Sequence, residues 1–149
     1  MCCDLIEKLG HPGGVILTTE HWRVVVRKKQ VTLGALILAS QRHVLSLGEL
    51  RPEEAAELPA VCRVIEAALQ GTFQPDKLNY LALMMVDPHL HFHVLPRYAA
   101  PRHFAEVAFT DSAWGGPPRL DAPCPETGTV NQIAAALQQA AQQTDGVKK

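Results

Sequence analysis

The stretch Pro88-His89-Leu90-His91-Phe92-His93-Val94-Leu95-Pro96-Arg97 constrains the fold more than any other part of the chain. Three histidines alternate with apolar residues, and a period of two belongs to an extended strand whose successive side chains leave on opposite faces. Leu90, Phe92 and Val94 are therefore expected to enter a core, while His89, His91 and His93 project from the other face. One face is chemical and the other structural.

Such a strand needs neighbours. Val15 to Thr18 and Trp22 to Arg27 are rich in β-branched residues and separated by a polar connector, as in a hairpin, and Leu33 to Ala39 is an apolar run of strand length. Tyr80 to Val86 and Leu90 to Leu95 read as two further strands, broken at Asp87-Pro88. Before them, Asp4 to Leu9 is a short amphipathic segment ending at Gly10, and His11 to Gly14 reads as a loop.

The clearest helix runs from Pro52 to Gln70. Its apolar residues Ala55, Leu58, Cys62, Ile65 and Leu69 recur at steps of three and four, Pro52 suits the first position and Gly71 the C′ position. Pro59 lies inside it and predicts a kink or a distorted turn. After Arg97 the chain turns to Pro, Gly and small residues, then to a weak stripe of Val130, Ile133, Leu137 and Ala141 behind a capping box at Thr129 and Gln132. The expected fold is α+β: an antiparallel sheet of about five strands, the long helix across one face and a C-terminal helix added late. The 149 residues, 47% of them hydrophobic, suit a single domain with its core near residues 15–98 and an extension over 99–149.

Charge and cysteine usage exclude several roles. The net charge is −1 and Arg27-Lys28-Lys29 is the one local basic run, which does not make the broad phosphate-neutralising surface of a nucleic-acid polymer binder. Cys2, Cys3, Cys62 and Cys124 have no CxxC spacing, so no structural metal and no disulfide are expected, and reduced thiols point to the cytoplasm. The N-terminus has no signal-like apolar region, and the apolar runs are too short to span a bilayer, so no membrane is implied.

The histidine face admits three readings: a polar face that happens to be histidine, a metal site, or a catalytic site. Against a metal, the third imidazole lies about 6.6 Å along the strand from the first two residues' shared site and points past it. Phosphoryl or nucleotidyl transfer fits better, because it needs little beyond a placed nucleophile and donors for the phosphate oxygens. A neutral His91 with Nδ1–H held by an acceptor presents its Nε2 lone pair, with His89 and His93 as flanking donors.

The pattern His-φ-His-φ-His-φ-φ over His89 to Leu95 resembles the signature of the histidine triad superfamily of nucleotide hydrolases and transferases. Asn79 resembles the asparagine that lies near the substrate phosphate in that family, the segment ending Gln41-Arg42-His43 resembles its central strand and following turn, and Pro96-Arg97 is similar to the branches that cleave dinucleoside polyphosphates. The resemblance implies His91 as nucleophile, His89 and His93 as assistants, Asn79 and Arg97 at the substrate, no cofactor, and a homodimer. It implies hydrolysis of a phosphoanhydride or phosphoramidate with release of a nucleoside monophosphate. A nucleotidyl transferase and a non-catalytic nucleotide- or metal-binding protein stand as alternatives. Two segments depart from the family: Leu83 to Pro88 replaces an Ala-Gly-Gln/Ser stretch, and Arg27-Lys28-Lys29-Gln30 stands where a ribose-binding carboxylate or amide is expected.

Other residues carry plainer expectations. Lys28 and Lys29 read as solvated, His43 as turn packing and Trp114 as core. Asp87 reads as a turn residue, and Arg97 as a partner for either phosphate or a carboxylate such as Asp87.

Overall fold

The computed structural model describes residues 4–121 and 125–147. Five strands, β1 (Gly10–Thr18), β2 (Trp22–Arg27), β3 (Leu36–Ser40), β4 (Lys77–Leu81) and β5 (His91–Arg97), form one antiparallel sheet in the order β1-β2-β3-β5-β4. The histidine strand β5 is thus interior, hydrogen-bonded along both edges. The architecture is the expected α+β one, with a short helix α1 (Leu5–Leu9), a long helix α2 (Pro52–Phe73) and a C-terminal helix α3 (Thr127–Val147).

Strand parity divides the sheet. Trp22, Val24, Val26, Leu36, Leu38 and Val94 share one core with Val61, Ile65 and Leu69 of α2 and with Ile133 and Leu137 of α3. On the opposite face Leu5 of α1 closes a smaller cluster with Val25, Ile37 and Ala39. The pairings Ile37↔His93 and Ala39↔His91 place the second and third triad histidines on this second face. Removing apolar surface from water drives both layers, at about 25 cal/mol per Å², but α1 is only 5 residues long and leaves part of its face uncovered.

Helix α2 starts at Pro52 as predicted, and Glu54 fixes the start: its carboxylate accepts the Arg51 backbone N–H at 2.7 Å and a two-pronged contact from Arg42 at 3.0 and 2.8 Å. The Arg42 bond, helped by that N–H, holds the Glu54 carboxyl at about 2 against the opposing effect of burial. The helix continues through Pro59, whose ring occupies one ladder position, and passes Gly71 to end at Gln74 with φ 48°. Phe73 explains the extra turn: it is buried and stacks edge-on against Phe104 at 5.3 Å, so tertiary packing outweighs the glycine stop.

Other boundaries move for equally local reasons. Strand β3 begins at Leu36 instead of Leu33, because Gly34 turns the chain with φ +87° and Gln30 replaces ladder bonds there, accepting from the Gly34 N–H and donating to the carbonyls of Arg27 and Ala35. A Cβ at Gly34 would lie 3.0 Å from Leu69 and Phe73. His11 to Gly14 is not a loop but the first half of β1, which tolerates Pro12 and the two glycines through register shifts before Val15 and before Leu17. Strand β4 covers Lys77 to Leu81, whereas Leu83 to Val86 leave the sheet as a loop in which Met84 has φ 47°.

The extension holds a hairpin that its composition hid. Strands β6 (Arg102–Phe104) and β7 (Val107–Phe109) are joined by Ala105 and Glu106, both left-handed at φ 53° and 64° and neither of the usual turn types. Helix α3 begins at Thr127, so Thr129 lies in its first turn, its N–H bonded to the Glu126 carbonyl, and is not the cap. The stripe of Val130, Ile133, Leu137 and Ala141 is buried as read. Cys2, Cys3 and Cys124 lie outside the described residues, and Cys62 is a free thiol. Among the described residues, no helix is long and apolar enough to cross a membrane.

Candidate active site

The three histidines do not present three equal rings. His89 precedes the paired part of β5, and a turn closed by Asp87 Oδ1 accepting the His89 N–H at 3.0 Å folds it inward until it is fully buried. Its Nε2 lies 2.7 Å from the Ser40 carbonyl, which only accepts, so that nitrogen carries the proton. Nδ1 of the neutral ring is then the acceptor for His43, whose Nδ1 is 2.9 Å away. Burial lowers the His89 pKa, with the Ser40 bond acting against it. Both ring nitrogens of His89, expected to assist at the phosphate, are thus engaged inside the protein.

The carbonyl of His89 does something else. It accepts the Nδ1–H of His91 at 2.6 Å, so the proton of the neutral His91 ring sits on Nδ1 and the lone pair on Nε2. Among the described residues no protein group bonds that Nε2. The expected acceptor for His91 therefore exists, and it is main chain. His93 stands edge-on to His91 with centroids 5.0 Å apart. Its Nδ1 is buried with no partner among the described residues, and burial, then the charges of Arg27 and His91, lower its pKa to about 4. His93 is consequently neutral above that pH, able to donate from one nitrogen and accept at the other.

His91 and His93 open into a cavity of ≈ 400 Å³, a volume that suits a small organic ligand. Its lining includes the basic Lys8, Arg27, Lys28 and Lys29, the apolar Leu9 and Leu120, and Leu83, Met84, Met85 and Val86 of the β4–β5 loop. Met85 and Val86 are 85% and 92% exposed, which is unusual for apolar side chains in a row. Asp87 completes the lining, 3.9 Å from Lys8. Lys28, expected to be solvated, is half-buried and its Nζ donates to the Glu7 carbonyl at 2.6 Å.

Asn79 and Arg97 lie elsewhere. Both line a second cavity of ≈ 240 Å³ with Trp114, which is 41% exposed and so is not a core residue. Arg97 is four residues past His93, about 13 Å along the strand. Its guanidinium bonds Asp111 at 2.6 and 3.1 Å, Asn79 Oδ1 at 2.8 Å, and the Ala113 and Gly116 carbonyls at 2.9 Å each. The carboxylate that pairs with Arg97 is Asp111 and not Asp87, and the structure brings neither Asn79 nor Arg97 to the histidines.

Sequence reasoning also missed contributors. His43 is a ring partner of His89, not turn packing, and Lys8 reaches the cavity only because α1 folds across the sheet. The histidines of β5 do not gather three ligand atoms around one point; among the described residues the group that does is Glu20, His21 and Glu57, within 4.8 Å of one another and away from this cavity.

Comparison with known proteins bears on the family and the fold. The HIT domain model matches residues 9–100. Solved structures with the same fold include a histidine triad protein of Sinorhizobium meliloti (22% identity, 94% of this chain and 96% of that one, TM-score 0.74). Another is a histidine triad protein of Marinobacter aquaeolei (22% identity, 93% and 96%, TM-score 0.71). A third is Plasmodium falciparum diadenosine triphosphate hydrolase in complex with Cyclomarin A (13% identity, 87% and 77%, TM-score 0.62).

Proposed function

Because the chain belongs to the histidine triad family, its HIT domain spanning residues 9–100, we propose that it hydrolyses a nucleotide at a phosphoanhydride or phosphoramidate bond through a nucleotidyl-His91 intermediate. The observation that carries this reading is the 2.6 Å bond from His91 Nδ1–H to the His89 carbonyl, which leaves the Nε2 lone pair for a phosphorus atom in the cavity. In the first step an Nε2–P bond forms, the P–O or P–N bond to the leaving group breaks, and the leaving group departs with the electron pair and takes up a proton. In the second, water attacks phosphorus and gives up a proton to solvent, the Nε2–P bond breaks with its electron pair returning to Nε2, and a nucleoside monophosphate is released. His93, neutral beside it, hydrogen-bonds a phosphate oxygen. The shared fold of a diadenosine triphosphate hydrolase supports the substrate class.

The same reading makes the protein a cytoplasmic homodimer. Edge strand β4 supports the second part, since among the described residues one of its sides has no partner strand in the sheet.

The test incubates wild type and His91→Ala with a panel of dinucleoside polyphosphates and nucleoside phosphoramidates, with products and intact protein read by mass spectrometry. Wild type releases a nucleoside monophosphate and carries one nucleotidyl group on quenching; His91→Ala loses about a thousand-fold or more in rate, as nucleophile removal does elsewhere. A variant keeping more than about a tenth of the wild-type rate overturns the assignment, and a nucleotidyl adduct of a non-water acceptor makes the protein a transferase.

A further inference from the structure

When an imidazole displaces an amine or an alcohol from phosphorus, the departing atom needs a proton, because its anion is a poor leaving group. Attack and departure are roughly in line, so that atom lies across phosphorus from the attacking nitrogen. His91 rises from β5, and the donor must therefore come from the layer that faces the sheet. Helix α1 supplies that layer: its Leu5 packs with Ile37 and Ala39, and Ala39 is in register with His91. Lys8, three residues after Leu5 in the same helix, lines the cavity together with His91 and His93.

The other groups of the lining do not serve that position. Leu83, Met84, Met85 and Val86 of the β4–β5 loop bring no side-chain donor. Asp87 accepts the His89 N–H through Oδ1, and an ionised carboxylate has no proton to give. His93, neutral above about 4, holds no imidazolium proton at neutral pH. The run from Arg27 to Lys29 lies at the other end of the cavity: Val26 is in register with Leu36 and, through it, with Val94, past His93. Lys8 is held at the Asp87 end, its Nζ 3.9 Å from Asp87 and 3.2 Å from Asp4. Both contacts are longer than a charge-assisted hydrogen bond of about 2.8 Å, which leaves an N–H of the ammonium for a ligand. Asp87 thus joins the ammonium to the turn whose His89 carbonyl orients His91.

We propose that Lys8 is a catalytic residue of the His91 reaction, its ammonium giving the proton that the leaving group takes up. The inference rests on the proposed nucleotide reading of the His91 site. As the Nε2–P bond forms and the P–O or P–N bond breaks, the electron pair goes to the leaving atom and that atom takes a proton from Lys8 Nζ. The amine left behind regains a proton from solvent before the next turnover. Lys8 is therefore needed for an amine, which does not depart without a proton, and matters far less for a group that departs as a stable anion.

The experiment compares kcat/KM for two leaving groups on one nucleotidyl group: an alkylamine in a nucleoside 5′-phosphoramidate and p-nitrophenolate in the matching 5′-ester, prepared with each common base. Wild type, Lys8→Met and Lys8→Arg are measured side by side. Methionine removes the charge, whereas arginine keeps a cation beside Asp4 and Asp87 but releases no proton; melting temperatures report whether α1 stays in place. The ratio of ester to amidate rates rises about a hundred-fold in both variants, the lower end of what a positioned acid contributes. A displaced helix slows both substrates alike and leaves the ratio where it was. A rise below about ten-fold in either variant overturns the role of Lys8 and leaves the nucleotide reading standing, as does a wild type that cleaves the ester alone. A wild type that cleaves neither substrate and forms no His91 adduct overturns both.

Discussion

Replacing Arg97 by methionine separates a structural arginine from a substrate-binding one. The guanidinium is 5% exposed and its partner Asp111 3%, and besides that carboxylate it satisfies Asn79 and two carbonyls of the 113–116 segment. Methionine keeps the aliphatic stem but leaves a buried carboxylate without its counter-charge, which costs about 3–5 kcal/mol. For a chain of this length each kcal/mol lowers Tm by roughly 3 °C, so Arg97→Met melts about 10–15 °C below wild type. Burial alone would raise the Asp111 carboxyl, but the Arg97 bond and the N–H groups of Tyr98 and Ala113 outweigh it and hold the pKa below its usual value. A depressed carboxylate contributes stability above its unfolded pKa of about 3.9, and that contribution disappears as pH falls through the folded value. Asp111→Asn therefore flattens the acid limb of the stability curve. The paired change Arg97→Met with Asp111→Leu recovers at least about half of the loss, because removing both members of a buried pair is far cheaper than removing one. Differential scanning calorimetry with steady-state kinetics decides the matter. A Tm within about 2 °C of wild type together with a raised KM refutes the argument and returns Arg97 to the substrate.

Three further outcomes follow from the same packing and hydrogen bonding. His93, depressed to about 4, contributes stability above the unfolded pKa of about 6.5 that is lost as pH falls from there to the folded value; urea titrations show a decline over that window, and His93→Gln reduces its slope, whereas an unchanged slope refutes the burial argument. His89→Ala lowers kcat and melts earlier by an amount equivalent to about 2–3 kcal/mol while leaving KM for nucleotides nearly unaltered; a KM rise with unchanged Tm would mean that its ring contacts substrate after all. Gly34→Ala puts a Cβ 3.0 Å from Leu69 and Phe73 at φ +87°, and chemical denaturation registers a loss of more than about 1 kcal/mol, or else the turn has another geometry.

How far the fold is legible from residues alone depends on what decides each element. The alternation through His91 to Leu95 and the three-four spacing of α2 are periodic, and burial of one face decides both elements, but β5 starts at His91 with His89 folded inward ahead of it, and α2 runs on past Gln70 to Phe73. Leu33 to Ala35 and Leu83 to Val86 are equally apolar but owe their conformation to Gly34 and to a loop whose burial differs residue by residue, which hydrophobicity does not encode. The hairpin turn at Ala105-Glu106 has no glycine to announce it. In the site, His91 and His93 are legible from parity. The sheet face is also shared by Arg97, but its distance along β5 and its capture by Asp111 depend on where the extension folds back. The pairing of His43 with His89 depends likewise on Ser40 and Val44, the latter accepting the Leu90 N–H at 2.8 Å, and has no sequence signal beyond the histidines themselves.

The group that fixes the proton on His91 is a peptide carbonyl, and no point substitution deletes a carbonyl. Mutational drift can therefore alter every side chain around the ring without erasing its tautomer, provided the main chain from Asp87 to His91 keeps its course. The vulnerability moves to whatever steers that course: the Asp87 turn, the Ser40 anchor and the neighbouring ring of His43. On the proposed reading, variation at these positions changes the aim of a backbone atom gradually, by tilting an acceptor, whereas variation at His91 removes the ring itself.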